Sequence, residues 1–395
     1  MAQSLDGLSK RTLFTTSLLH FSNDACFTLF YPLLPLLASD LHLSYTEVGL
    51  LKTIFSSASS VLQIPAGLMG ERLGEFVVLI CGNIWTGLGL GVIALSPSYL
   101  VLLIMVLLGG IGGNPQHPLA ASLVSRVYER SRLATAIGTL NVAGDLGKLF
   151  GALTAGIIAV HFGWRAALVS IGMFTTVLSL LLLWRRPGEV PPSLTPLSEH
   201  SETTRGNGAS AKVGLLLLAG SFDEMTRTVA LTFLPFVLAR QGLDTAAISV
   251  LVGMMVMGGG IGRFVCGWLG DRWGIFAMIL LTEVVTAIAL VGFLSAPLPL
   301  LMPLAIVFGF PLNGTSSVMQ SAVARMVPVH QRGRWYGVYF TVVLVSGSVA
   351  PIVYGYVGDK LGLPVVFVVI AAVTMLIPCV VFPIRSLLKD GAQIQ

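Results

Sequence analysis

Ionisable side chains recur in this chain at positions whose neighbours are almost all apolar. In one such run His20, Asp24 and Tyr31 repeat at helical spacing with Asn23 beside Asp24, so one stripe presents an imidazole, a carboxylate and a phenol. A carboxylate in an apolar run can load a proton or hold a cationic group of a solute. The other reading of Asp24 is a structural hydrogen bond to a neighbouring helix, and that of His20 is a core histidine with its hydrogen bonds met.

A second cluster, Asp223, Glu224 and Arg227, puts acids three and four residues before an arginine, which is good pairing geometry on a helix. Arg227 reads equally as a counter-ion, as a clamp for an anionic solute, or as a group that changes partner when a carboxylate is protonated. Asn141, Asp145 and Lys148 form a third stripe within Gly144-Asp-Leu-Gly147-Lys148-Leu-Phe-Gly151, where small and charged residues meet. Asn114, Gln116 and His117 lie between Pro115 and Pro118, a broken polar segment that membranes tolerate only beside protein or water, and Pro311, Asn313 and Ser316 are its later counterpart. Arg263 is about 10 Å from the inner end of its helix, where it snorkels or reaches a cavity. Lys52 and Glu283 read as topological or structural.

A charge near the bilayer centre costs a few kcal/mol or more unless it faces a cavity or a partner. The candidates for proton coupling are therefore Asp24, Glu224, Asp223 and Asp145. Those for a solute cavity are His20, Asn23, Tyr31, Asn114, His117, Asn141, Lys148, Arg227, Arg263 and Asn313. No P-loop, GxSxG elbow or HExxH is present, so no enzyme, cofactor or metal is expected. Cys26, Cys81, Cys266 and Cys379 sit in apolar segments without CxxC spacing and read as small buried hydrophobes.

The elements that must position these residues are membrane helices. The 55% hydrophobic and 10% charged residues lie far from the roughly 25% charge of a soluble domain. A bilayer core about 30 Å thick needs about 20 helical residues, and twelve such stretches occur: 12–38, 44–70, 75–96, 98–127, 131–160 and 163–184, then 213–239, 244–269, 275–296, 298–326, 332–357 and 362–385. Lys10 and Arg11 precede the first run without a cleavage site soon after it, so it reads as a retained helix. Residues 185–212 are polar and rich in Pro, Ser and Thr, a flexible linker between a six-helix bundle over 1–184 and another over 213–395. With the N-terminus inside, 16 of the 23 Lys and Arg fall on the inner side, which places both termini and the linker in the cytoplasm of a cell whose inner membrane holds the protein. The net charge of +5 follows from this distribution over separate inner loops and does not point to nucleic acid.

The two halves repeat at an offset of about 200 residues. Gly67-Leu-Met-Gly70-Glu71-Arg72-Leu-Gly74 returns as Gly267-Trp-Leu-Gly270-Asp271-Arg272-Trp-Gly274. Pro35 matches Pro235, Asn114 matches Asn313, Arg126 matches Arg325, Arg132 matches Arg332, and Gly156 with Gly163 matches Gly355 with Gly362. Two parallel six-helix repeats place an aqueous cavity at their interface near the midplane, where rocking gives alternating access to a solute.

These residues resemble the major facilitator superfamily, whose signature after the second helix reads Gly-x-x-x-Asp-Arg-x-Gly followed by basic residues. The resemblance implies an all-α fold of twelve transmembrane helices in two pseudo-symmetric bundles. It also implies a cytoplasmic gate formed by Gly67, Glu71, Arg72, Gly74, Gly267, Asp271, Arg272 and Gly274. Glu75 and Phe76 stand where the family has basic residues, and Glu replaces Asp at 71, so a weaker gate is expected in the first half. Asp145 replaces the proline of the helix 5 signature carried by the family's antiporters.

His20-Phe-Ser-Asn23-Asp24, Tyr31-Pro-Leu-Leu-Pro35 and Leu43-Ser-Tyr-Thr-Glu-Val-Gly49-Leu-Leu are similar to the fosmidomycin-resistance branch of drug exporters. That similarity implies export of a small, often anionic compound in exchange for protons, and a monomer is the default expectation. The competing mechanism is proton-coupled import of an organic anion gripped by Lys148, Arg227 or Arg263, and the sequence favours export.

Overall fold

In lipid no water satisfies backbone N–H and C=O groups, so each apolar run closes its own hydrogen bonds as a helix. The computed structural model describes residues 2–61, 63–112, 116–184, 207–327 and 332–388, and within them every regular element is helical. The first repeat comprises α1 (Ala2–Thr28), α2 (Phe30–Asp40), α3 (Tyr45–Val61), α4 (Gln63–Leu73), α5 (Glu75–Ala94), α6 (Tyr99–Gly110), α7 (Gln116–Val127) and α8 (Arg130–Trp184). The second comprises α9 (Asn207–Arg240), α10 (Thr245–Trp273), α11 (Ile275–Gly292), α12 (Leu298–Met326), α13 (Arg332–Leu361) and α14 (Leu363–Val381), with a short 3-10 turn at Phe382–Leu388.

These elements make the twelve transmembrane segments. The pairs α1–α2, α3–α4 and α6–α7 each form one, and α8 holds two, separated by non-helical backbone at Gly163. At 34 residues α9 is long enough to cross a bilayer, but Asp223, Glu224 and Arg227 interrupt its apolar run. It begins at Asn207, inside the stretch read as linker, while residues 185–206 lie outside the described residues.

The repeat extends to backbone conformation. Gly74 and Gly274, which close the two copies of the inner-loop motif, have φ of 90° and begin α5 and α11. Gly163 and Gly362 do the same between the fifth and sixth helix of each half, with φ of 82° and 85°. Only glycine adopts this left-handed region without steric cost, which accounts for its place at these turns.

The chain divides into two compact units. One takes in the described residues of Met1–Leu43, Ile54–Glu199 and Asp244–Gly253, the other those of Ser44–Thr53, His200–Leu243 and Met254–Gln395. The exchanged stretches, 44–53 and 244–253, are the same stretch of each repeat. In the second unit the amides of Tyr45 and Thr46 donate to the Asp359 carboxylate at 2.7 and 2.9 Å, an anion satisfying the open N-terminus of α3.

Within the first unit α1 lies directly on α8. A Cβ at Gly147 would meet the Phe21 carbonyl oxygen at 2.0 Å, and one at Gly151 would meet that of Ala25 at 2.3 Å, so small residues set this approach. Gly138, one helical stretch earlier, has open space around its Cα. Gly147→Ala is therefore expected to cost about 1–3 kcal/mol or more through overpacking against backbone. Thermal unfolding in detergent, followed by size-exclusion, should show a clear loss for Gly147→Ala and a near wild-type profile for Gly138→Ala.

Candidate functional site

The first unit gathers ionisable groups from three helices around Asp24, which is only 3% exposed. On α1, His20 stands one turn before it, with Nε2 3.3 Å from Asp24 Oδ2. His117 of α7 brings Nε2 to 3.8 Å from Oδ1, and Lys148 of α8 brings Nζ to 3.3 Å from Oδ2. The same ammonium lies 3.1 Å from Asp145 Oδ1, so one cation is shared by two carboxylates. His20 and His117 meet edge to face, with ring centroids 4.7 Å apart.

The three groups facing Asp24 come together because Gly144 leaves room: a Cβ there would meet His20 Nε2 at 2.6 Å and Asp24 Oδ2 at 2.7 Å. The cluster grades from the buried carboxylate to His117, whose side chain is 54% exposed. Among the described residues His20 Nδ1 is buried without a hydrogen-bond partner. Its Nε2, that of His117 and a carboxylate oxygen of Asp24 all lie within 4.8 Å, a spacing that suits a metal ion. The Lys148 ammonium on that carboxylate opposes a second cation there.

Other residues of the stripe are used differently. Asn23 is buried and donates Nδ2 to Asn83 Oδ1 of α5 at 3.0 Å, while Asn83 donates to Leu19 O and Ser22 Oγ. Asn23 thus holds helices together, with Asn83 as a partner that sequence reasoning missed. Tyr31 is half-buried on α2, about 10 Å along the helix axis from Asp24. Asn141 is exposed on α8 one turn before Asp145, and Asn114 lies outside the described residues.

The second unit builds its own cluster on α9. Arg227 Nη2 donates to Glu224 Oε2, and its Nη1 reaches Asn313 Oδ1 of α12 at 3.5 Å. Glu224 also accepts from Thr228 Oγ1, and Asp223 accepts from Ser316 Oγ, both at 3.4 Å. Gly347 of α13 gives Glu224 its space, since a Cβ there would meet Glu224 Cγ at 2.5 Å. Arg263 is half-buried on α10.

A family model for the Major Facilitator Superfamily matches residues 16–212 and 216–391, which hold these helices, the doubled inner-loop motif and the buried charges of both repeats. The chain belongs to this superfamily.

Among superfamily relatives, the hexuronate transporter of Bacillus subtilis is 24% identical over 83% of both chains. The fosmidomycin resistance protein of Escherichia coli is also 24% identical, over 91% of this chain and 89% of that one. A crystal structure of a bacterial homolog of the human lysosomal transporter Spinster, inward-facing and occupied, superposes with a TM-score of 0.81 at 17% identity, over 97% of this chain and 98% of that one. Family and fold make the protein a multi-pass membrane transporter and not an enzyme.

Near the superfamily's inner-loop signature each half pairs an acid with an arginine. In the second, Arg325 Nη2 of α12 lies 3.1 Å from Asp271 Oδ1. In the first, the matching Arg126 of α7 lies 2.8 Å from Glu75 Oε1, which also accepts from Ser122 Oγ at 2.7 Å. Glu75, read from sequence as a departure that weakens the gate, is thus an acidic anchor one turn beyond the signature acid. The signal that could have found it is the spacing of an acid at the first turn of α5, where it also favours the helix N-terminus. Arg272 is exposed and lies over the Trp268 ring at 4.1 Å, Arg72 is exposed, and Gly267 has open space around its Cα. The surroundings of Gly67 and of the Glu71 side chain lie outside the described residues.

The two inner pairs differ in burial: the side chain of Glu75 is 6% exposed and that of Asp271 is 77% exposed. Removing one partner of a buried pair strands a charge and costs about 3–5 kcal/mol, whereas an exposed pair contributes about 0–1 kcal/mol. Arg126→Gln is therefore expected to destabilise far more than Arg325→Gln in thermal melts. Adding Glu75→Gln should recover part of the Arg126→Gln loss.

Proposed function

We propose that the protein is a proton-coupled carrier of a small organic anion, working by alternating access between a six-helix bundle over 1–184 and one over 213–395 joined by the linker 185–212. The observation that carries this reading is the Lys148 ammonium held by both Asp24 and Asp145. Protonating Asp24 removes one of the two negative charges on Lys148 and frees the ammonium for an anionic solute. Binding of proton and anion then favour each other, and by linkage each strengthens the other by the same factor. Two ligands that bind together travel together, so an inward proton gradient drives uptake.

In this reading Asp24 carries the proton, with His20 and His117 as its path to water, and Lys148 receives the anion. Arg227, held by Glu224 and Asn313, is the matching cation of the second half, with Asp223 and Glu224 as its acids. Similarity to a hexuronate transporter supports a carboxylate-bearing solute. In this reading the protein works as a monomer in the cell inner membrane, and the inner-loop Lys and Arg support placing both termini in the cytoplasm.

Export in exchange for protons is the second reading, favoured by the likeness of the first two helices to the fosmidomycin-resistance branch and by similarity to such a protein over about nine-tenths of both chains. Exchange requires competition: the solute must bind ionised Asp24 in place of the proton.

Anion binding separates the two. With a hexuronate as probe, binding to purified protein is expected to strengthen as pH falls. Asp24→Asn should keep the binding but weaken its dependence on pH and lose gradient-driven accumulation, while Lys148→Gln should lose binding. Weakening of binding on acidification, or unaltered gradient-driven transport by Asp24→Asn, would overturn this reading.

A further inference from the structure

Glu283 on α11 is 1% exposed, and its Oε1 has no hydrogen-bond partner among the described residues. Read from the sequence as topological or structural, it is among the most deeply buried charged side chains described. The repeat shows what it stands for. At the offset of 200, α9 corresponds to α1 and α11 to α5, so Asp223 takes the place of Asn23 and Glu283 that of Asn83.

In the first half these positions are two buried amides joined by an N–H···O bond of 3.0 Å. In the second half both are carboxyls. Two carboxylates cannot reproduce that bond, because each oxygen only accepts. A single proton between them can, by turning one carboxylate into an O–H donor. Asp223 is 9% exposed and lies within electrostatic reach of Glu283, so two negative charges here would repel in a medium that screens poorly.

The groups facing the pair do not neutralise both acids. From α12 come the hydroxyls of Thr315, which is buried and within reach of Glu283, and Ser316, which donates to Asp223. From α9 come Glu224 and Arg227, paired with each other. From α13 comes the buried phenol of Tyr339, within reach of Asp223, Glu224 and Arg227, and α14 brings no charged side chain.

We propose that Asp223 and Glu283 form a carboxyl pair that binds one proton, and that this pair is the proton-binding site of the second half. Protonation creates the O–H···O⁻ bond and deprotonation to the aqueous side breaks it, leaving two like charges that repel. Glu283 is thus a proton ligand contributed by the ninth helix. The proposal rests on the reading of the protein as proton-coupled, but its test does not depend on the solute.

Infrared difference spectra of the purified full-length protein, recorded between acid and alkaline pH, read the pair directly through the C=O stretch of a buried protonated carboxyl. The band is expected in wild-type protein, and Glu283→Gln and Asp223→Asn should each remove or shift it. The double variant Asp223→Asn/Glu283→Gln rebuilds the amide pair of the first half and should fold and lack the band. Lys148→Gln should leave it in place. In proteoliposomes, Glu283→Gln should lose proton-driven accumulation of a hexuronate while retaining exchange of that probe. A band unchanged in both single variants, wild-type proton-driven accumulation by Glu283→Gln, or drive by sodium in place of protons would overturn the pair. A band that behaves as stated, with no hexuronate moved by wild-type protein, would sink the organic-anion reading and leave the pair standing.

Discussion

Every charge that enters the hydrocarbon region must be matched by a partner, because water is absent there and an unpaired charge costs several kcal/mol. In the first half the requirement is met by sharing one lysine between two carboxylates with two imidazoles around them. In the second it is met by an arginine on a glutamate with further acids close by. Such sharing leaves the lysine of the first half with two carboxylates and the arginine of the second among three acids, and a proton is the natural partner of a carboxylate left over. A transport cycle can then run on changes of partner, without new charges having to appear in lipid.

Small residues make these arrangements reachable. Gly144 admits His20 and Asp24 to the face of α8, and Gly347 admits Glu224 to that of α13. Gly147 and Gly151 bring α1 and α8 to backbone contact. Glycine in this chain serves two separate demands: φ near +90° at the helix turns, where side chains rarely fit, and contact distances below a normal van der Waals approach within the membrane. Neither demand concerns the solute directly, yet the position of Asp24 depends on the second.

Much of this was legible in the sequence because lipid imposes a simple code. Length and hydropathy gave twelve helices, and the doubled Gly-x-x-Gly-acid-Arg-x-Gly motif gave the repeat and the family. The spacing of His20 with Asp24 and of Asp145 with Lys148 marked two pairs that meet, and the fold brings Lys148 to Asp24. What was not legible was rotation: an apolar run does not say which of its faces meets protein and which meets lipid. The burial of Glu283 therefore left no trace in its reading as topological or structural, and Asn23 was assigned to a cavity when it bonds Asn83. Glu75 was compared with a family pattern instead of with Arg126, whose side chain lies 51 residues further along the chain and is reached only through the fold. The offset of 200 held the clue to Glu283, since aligning it with Asn83 pairs two acids where the first half pairs two amides.

The central claim is that proton and organic anion bind together. Proteoliposomes holding a pH-sensitive dye, with no pH difference imposed and protein-free vesicles as control for passive entry, test it when a hexuronate is added outside. Cotransport predicts acidification of the interior that depends on the protein and disappears in Asp24→Asn. Alkalinisation of the interior as the anion enters would show exchange and contradict the account.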